Sequence, residues 1–141
     1  MLSLQEISDR MEIADLLARY SAAIDSHRWD DLDQLFTDDA VIDYTEMGGI
    51  RGSLDEQKSF LASVMPSFGG FQHLTATSTF DIDGDVARVR TICFNPMVVT
   101  DEQQVLFCGL WYRDVLVRTE DGWRIRERHE DRGWSLDLRR G

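Results

Sequence analysis

The chain has 141 residues, 43% hydrophobic and 29% charged, which argues against disorder and leaves room for one globular domain, residues 1–141. Its 26 acidic against 15 basic residues give a net charge of -11, a surface poorly matched to nucleic acid or an anionic membrane. No apolar run approaches the ~18 residues needed to cross a bilayer. Met1–Glu6 lacks the basic and apolar regions of a signal peptide, so a cytoplasmic protein is expected.

Residues 4–25 read as an amphipathic helix, with Leu4, Ile7, Met11, Ala14, Leu17 and Ile24 at steps of three, four or their multiples. Ser3 and Glu6 form a capping box at its start. After a sharp corner at Ser26-His27-Arg28, a second helix is predicted from Trp29 to Phe36. Asp30, Asp31 and Asp33 fall in its first turn, where the helix dipole favours acids. From Ala40 the period becomes two, and Ala40, Ile42 and Tyr44 share a face. Gly48-Gly49 permits a hairpin turn. Ser53 caps a third helix, 54–65, which turns Leu54, Phe60, Leu61 and Val64 inward and stops at Pro66 and Gly69-Gly70.

Four long strands follow: His73–Ile82, Val86–Thr100, Gln103–Arg118, and Trp123 to about Trp134. Asp83-Gly84 and Asp121-Gly122 are tight turns, and Thr100-Asp101-Glu102 links the middle pair. Alternation in the last strand puts Arg124, Arg126 and Arg128 on a solvated basic face, with Trp123, Ile125 and His129 opposite. Three helices and a meander predict an α+β fold. In it a curved, mostly antiparallel sheet wraps the long N-terminal helix and leaves an apolar-lined mouth.

Asp25 ends the first helix, where the negative end of the dipole disfavours a carboxylate. It is either a solvated turn residue or a group held by a donor. His73, at the rim of the sheet after a glycine-rich break, suits proton transfer; a half-buried histidine bonded to backbone is the alternative. His129 is the second choice, and His27 is a surface residue. Tyr20 and Tyr44 are phenols that need partners if buried. Tyr20 and Asp25, five residues apart, lie about 140° apart around the helix. Cys93 and Cys108 sit in apolar runs and read as free buried thiols. No nucleophile elbow, phosphate loop or metal-ligand spacing is present, so no metal is expected from the residues themselves.

The segments Ala18-Arg19-Tyr20-Ser21-Ala22-Ala23-Ile24-Asp25-Ser26-His27-Arg28-Trp29-Asp30, Ile42-Asp43-Tyr44, Gln72-His73 and Asp121-Gly122-Trp123-Arg124-Ile125, in this order and spacing, resemble SnoaL-like proteins of the nuclear transport factor 2-like superfamily. The likeness spans residues 5–134 and is greatest to the scytalone dehydratase branch, which includes bile acid 7α-dehydratases and a hexachlorocyclohexane dehydrochlorinase. It implies a cone-shaped, cystatin-like fold with a deep pocket and a His–Asp dyad that works without cofactor. The family's aspartate falls on Asp25, its histidine on His73, its strand tyrosine on Tyr44 and the helix tyrosine of the bile acid dehydratases on Tyr20. The second histidine of scytalone dehydratase falls near Asn95-Pro96 and its late asparagine near Tyr112, so both are replaced here. Asn95 and Tyr112 are therefore expected in the substrate pocket, together with Trp123 and His129, which share the inward face of the last strand.

The implied activity is a lyase or dehydratase acting on a small hydrophobic cyclic, polyketide-like or steroid-like substrate. The alternatives are an isomerase or cyclase of the ketosteroid isomerase type, or a non-catalytic ligand-binding module. Ile92, Phe94, Phe107, Trp111 and Val115 on the outer sheet face lead to the expectation of a homodimer or higher homo-oligomer.

Overall fold

The Ser3 hydroxyl accepts the Glu6 N–H at 3.1 Å and starts α1, Leu4–Asp25. In this computed structural model, which describes residues 1–100 and 104–139, only half of the predicted capping box forms there. Glu6 turns instead to Arg10 at 2.8 Å. The buried stripe of α1 is Ile13, Leu16, Leu17, Tyr20, Ala23 and Ile24, while Leu4, Ile7 and Met11 are exposed. Both stripes obey helical spacing, and contact with the sheet selects between them. Each buried Leu or Ile contributes roughly 1.5–3 kcal/mol.

The predicted second helix is a 3₁₀ turn, Trp29–Gln34, and Phe36 belongs to β1, Phe36–Asp43. Leu32, Leu35 and Phe36 are all buried, so burial alone could not mark where helix gave way to strand. Past Tyr44, a 3₁₀ turn (Thr45–Met47) and Gly48, at φ 88, return the chain to β2, Arg51–Gly52. Gly49 is required for close approach: a Cβ there would lie 2.6 Å from the Tyr44 Cβ. Helix α2, Leu54–Val64, carries a complete Ser53–Glu56 capping box. Its buried Gln57 donates to the carbonyls of Ile42 (3.0 Å) and Ile50 (2.8 Å), tying the helix to the hairpin.

The remaining strands are β3 (Phe68–Phe71), β4 (Leu74–Asp83), β5 (Val86–Val99), β6 (Gln104–Thr119) and β7 (Gly122–Arg139). The predicted link through Asp101-Glu102 and the strand start at Gln103 lie outside the described residues. The sheet order is β2-β1-β7-β6-β5-β3, with β4 also paired to β5. All pairs are antiparallel except β1–β7. The result is an α+β fold with the curved sheet around α1, and among the described residues no helix is long and apolar enough to cross a membrane.

A β-bulge reorganises β7. Val115 pairs with Glu127 and Leu116 with Ile125, which leaves Arg126 as an extra residue. One extra residue reverses the inward–outward alternation beyond it. Trp123 and Ile125 therefore face inward before the bulge, and Arg128 and Glu130 after it. Arg128 is fully buried, correcting its predicted place on a solvated face. His129 points away from the interior, half-buried beside Asp43 at 3.8 Å.

Candidate active site

Asp25 is the last residue of α1, and His73 lies between β3 and β4. The Asp25 carboxylate accepts the His73 backbone N–H at 3.0 and 3.1 Å and stands 2.7 Å from its ring Nδ1. Three contacts hold one residue to one carboxylate, so the imidazole is fixed in position and in rotation. They also give a carboxylate at an unfavourable helix end the donors it needs. The side chains are 8% exposed for His73 and 22% for Asp25. With the proton on Nδ1, Nε2 is an acceptor, and the Asn95 amide Nδ2 lies 3.1 Å from it. That contact occupies the Nε2 lone pair, so another donor can reach it only by displacing the amide.

The corner after Asp25 is itself braced. His27, at φ 55, stacks between Trp29 and Phe71 at 5.3 and 5.4 Å, and Phe71 meets His73 edge-on at 6.1 Å. Exposed His27 thus supports the loop that presents His73.

Tyr20 and Tyr44 converge on each other instead of on Asp25, with their hydroxyls 2.5 Å apart. One hydroxyl donates to the other, which leaves one O–H free to donate elsewhere. Burial pushes Tyr20 up to about 12 and Tyr44 well above its ordinary value, so both remain protonated phenols at neutral pH. Behind them the guanidinium of Arg128 packs against the rings of Tyr20 and Tyr112, 4.1 Å from each, and the two rings meet edge-on. It pairs with Asp114 through two bonds of 2.7 Å, and neither side chain is exposed.

The dyad's histidine and the tyrosine pair open into one cavity of about 240 Å³. Its walls are apolar: Ile24 of α1, Phe60, Leu61 and Val64 of α2, then Met65, Phe68, Met97 and Leu110. Met47, Gly48 and Gly49 form one rim. Its polar groups include His73, Asn95, Tyr20, Tyr44 and Glu130.

Of the predicted pocket residues, Asn95 lines the cavity and three do not. Tyr112 is wholly buried behind Tyr20, because the rings and Arg128 fill the space between. Trp123 lies at the other end of the sheet, donates its indole N–H to Asp9 at 3.1 Å and packs under Arg118. His129 is turned outward by the bulge. Glu130 escaped prediction for the same reason: regular alternation through Arg126 places it outside. Cys93 and Cys108 are free buried thiols, with burial pushing Cys93 up to about 12. Among the described residues, no group of three or more His, Cys, Asp or Glu side chains is arranged to hold a metal ion.

The sequence profile of the SnoaL-like domain matches residues 5–129. The uncharacterized protein Rv2910c of Mycobacterium tuberculosis is 55% identical over 131 residues, covering 92% of this chain and 89% of that one. A candidate scytalone dehydratase from Novosphingobium aromaticivorans superimposes with a TM-score of 0.83 at 19% identity, over 96% of this chain and 91% of that one. The hexachlorocyclohexane dehydrochlorinase LinA-type3 from Novosphingobium barchaimii does so with 0.85 at 15% identity, over 96% and 93%. At such identities the two structures share the fold with this chain.

Proposed function

The chain belongs to the SnoaL-like domain family, and on that premise we propose that it is a cofactor-independent lyase of the dehydratase type, in the scytalone dehydratase branch. The observation that carries this reading is the Asp25 carboxylate clamped to both backbone and ring of His73, which lines an apolar cavity with its Nε2 beside the Asn95 amide. His73 Nε2 removes a proton next to a carbonyl. Asp25 holds the Nδ1–H tautomer and stabilises the imidazolium that forms. The free O–H of the Tyr20–Tyr44 pair donates to the enolate oxygen, which gathers negative charge in a water-poor site. Imidazolium Nε2–H then protonates the hydroxide that leaves from the β-carbon, giving the alkene and water and restoring neutral His73. If the same proton returns to a different carbon, the product is an isomer.

The cavity volume lies below the roughly 300–1,000 Å³ common for drug-sized ligands, which favours a compound of one or two rings. The test is incubation with a panel of bicyclic β-hydroxy ketones in D₂O, read by mass spectrometry and NMR. Loss of water in the wild type that disappears in Asp25→Asn and His73→Ala supports the reading. Unchanged mass with deuterium at a new carbon assigns the isomerase alternative, and turnover that survives both substitutions refutes the dyad.

A further inference from the structure

Glu130 is a cavity group that neither the dyad nor the tyrosine pair engages. It faces inward from β7, opposite Tyr112 of β6. No hydrogen bond or ion pair to its carboxyl is found among the described residues. The cation that acts on it, Arg128 on the same strand, stands behind Tyr20 with its charge committed to Asp114. The other titratable groups around it are Asp43 of β1, Tyr44 just past β1, Tyr20 of α1, Tyr112 and Cys108 of β6, and Cys93 of β5. Each of these is neutral or negative at neutral pH; His73, its ring held on the Asp25 carboxylate, lines the same cavity. Removal from water therefore dominates, and it pushes the Glu130 carboxyl up to about 8. Arg128 opposes the shift and Asp43 adds to it.

A carboxyl group that keeps its proton is a strong hydrogen-bond donor in an apolar site. A carboxylate ligand, by contrast, would meet apolar walls, and no Lys or Arg side chain lines the cavity to pair with it. We propose that Glu130 is a ligand-recognition residue that donates its proton in a hydrogen bond to a carbonyl or hydroxyl oxygen, so that the cavity selects uncharged oxygenated ring compounds over carboxylates. This deepens the proposed function and rests on its reading of the cavity as the substrate site. It does not depend on the dyad's chemistry.

The test uses 1-tetralone, a neutral bicyclic ketone that can only accept, and 1-naphthoate as the matched anion, with binding followed by calorimetry. Wild-type protein is expected to bind 1-tetralone at least tenfold more tightly than 1-naphthoate at neutral pH. Its affinity for 1-tetralone should fall about tenfold between pH 7 and 9, as the carboxyl ionises. Glu130→Gln donates at every pH and should give a flat profile. The infrared difference spectrum between wild type and Glu130→Gln should show a protonated carboxyl at neutral pH that vanishes at alkaline pH. Glu130→Gln keeps His73, so any pH dependence owed to the imidazole would persist in it, and a flat profile separates Glu130 from the dyad. A pH-independent wild-type affinity, a preference for 1-naphthoate, or no protonated carboxyl band overturns the assignment of Glu130 alone. Failure of 1-tetralone to bind any variant at any pH overturns the cavity reading and this inference with it.

Discussion

Removing Asp114 tests how the floor of the site is supported. Asp114 and Arg128 are both fully buried and joined by two bonds of 2.7 Å, and the rings of Tyr20 and Tyr112 pack against the guanidinium. Asp114→Asn keeps the shape and removes the charge, which strands a cation that no water reaches. Breaking a buried pair in this way costs about 3–5 kcal/mol. For a chain of this length that corresponds to a melting temperature lower by roughly 10–20 °C. The double substitution Asp114→Leu with Arg128→Met removes both charges and their desolvation cost, so it should recover most of the loss. Urea unfolding of the wild type, Asp114→Leu, Arg128→Met and the double variant gives the coupling energy directly. A single-variant loss below about 1 kcal/mol, typical of a solvated surface pair, would mean that the pair is not desolvated and that the floor is held some other way. The same double variant should loosen the Tyr20–Tyr44 contact, since Arg128 packs against the Tyr20 ring.

Other substitutions probe separate links. Asp25→Asn should lower turnover by about 10⁴-fold with the circular dichroism spectrum unchanged, because an amide cannot hold His73 in the reactive tautomer; a loss under tenfold contradicts that role. Gly49→Ala should destabilise by about 1–3 kcal/mol in chemical unfolding, because its Cβ would meet the Tyr44 Cβ at 2.6 Å and the rim must move. Acid should remove a contribution from Asp9. Its hydrogen bonds from Arg118, Trp123 and Gln5 outweigh burial and hold the carboxyl down to about 2, against 3.8 ordinarily. The folded state then binds fewer protons than the unfolded one, so this stability is present above about pH 4 and lost as pH falls toward 2. Asp9→Asn should flatten that part of the profile, and an unchanged slope contradicts the assignment. Self-association should follow from the outer face, where Ile92 is 44% and Trp134 51% exposed. Sedimentation at micromolar concentration should show a dimer or larger species, and a species of only 16.3 kDa rules it out.

Local chemistry in the chain was enough for much of the architecture. Ser3 and Ser53 mark helix starts because their hydroxyl oxygens accept N–H groups that the helix leaves unpaired. Asp83-Gly84 and Asp121-Gly122 mark turns, with Gly84 and Gly122 at φ 57 and 99. Asp25 and His73 were named by an odd helix end and a family likeness, and the fold brings them to 2.7 Å. What the chain could not disclose depends on contacts distant in sequence. The stripe of α1 that faces inward is chosen by the sheet. Trp123 and Tyr112 point inward as alternation requires, yet depth along the curved sheet decides that neither reaches the cavity. The bulge at Arg126 matters most: a single extra residue, set by register against β6, carries His129 out and brings Arg128 and Glu130 in. Strand periodicity is a local property, whereas its phase after a bulge is fixed by the neighbouring strand, and so only the tertiary structure could place an acid inside this cavity.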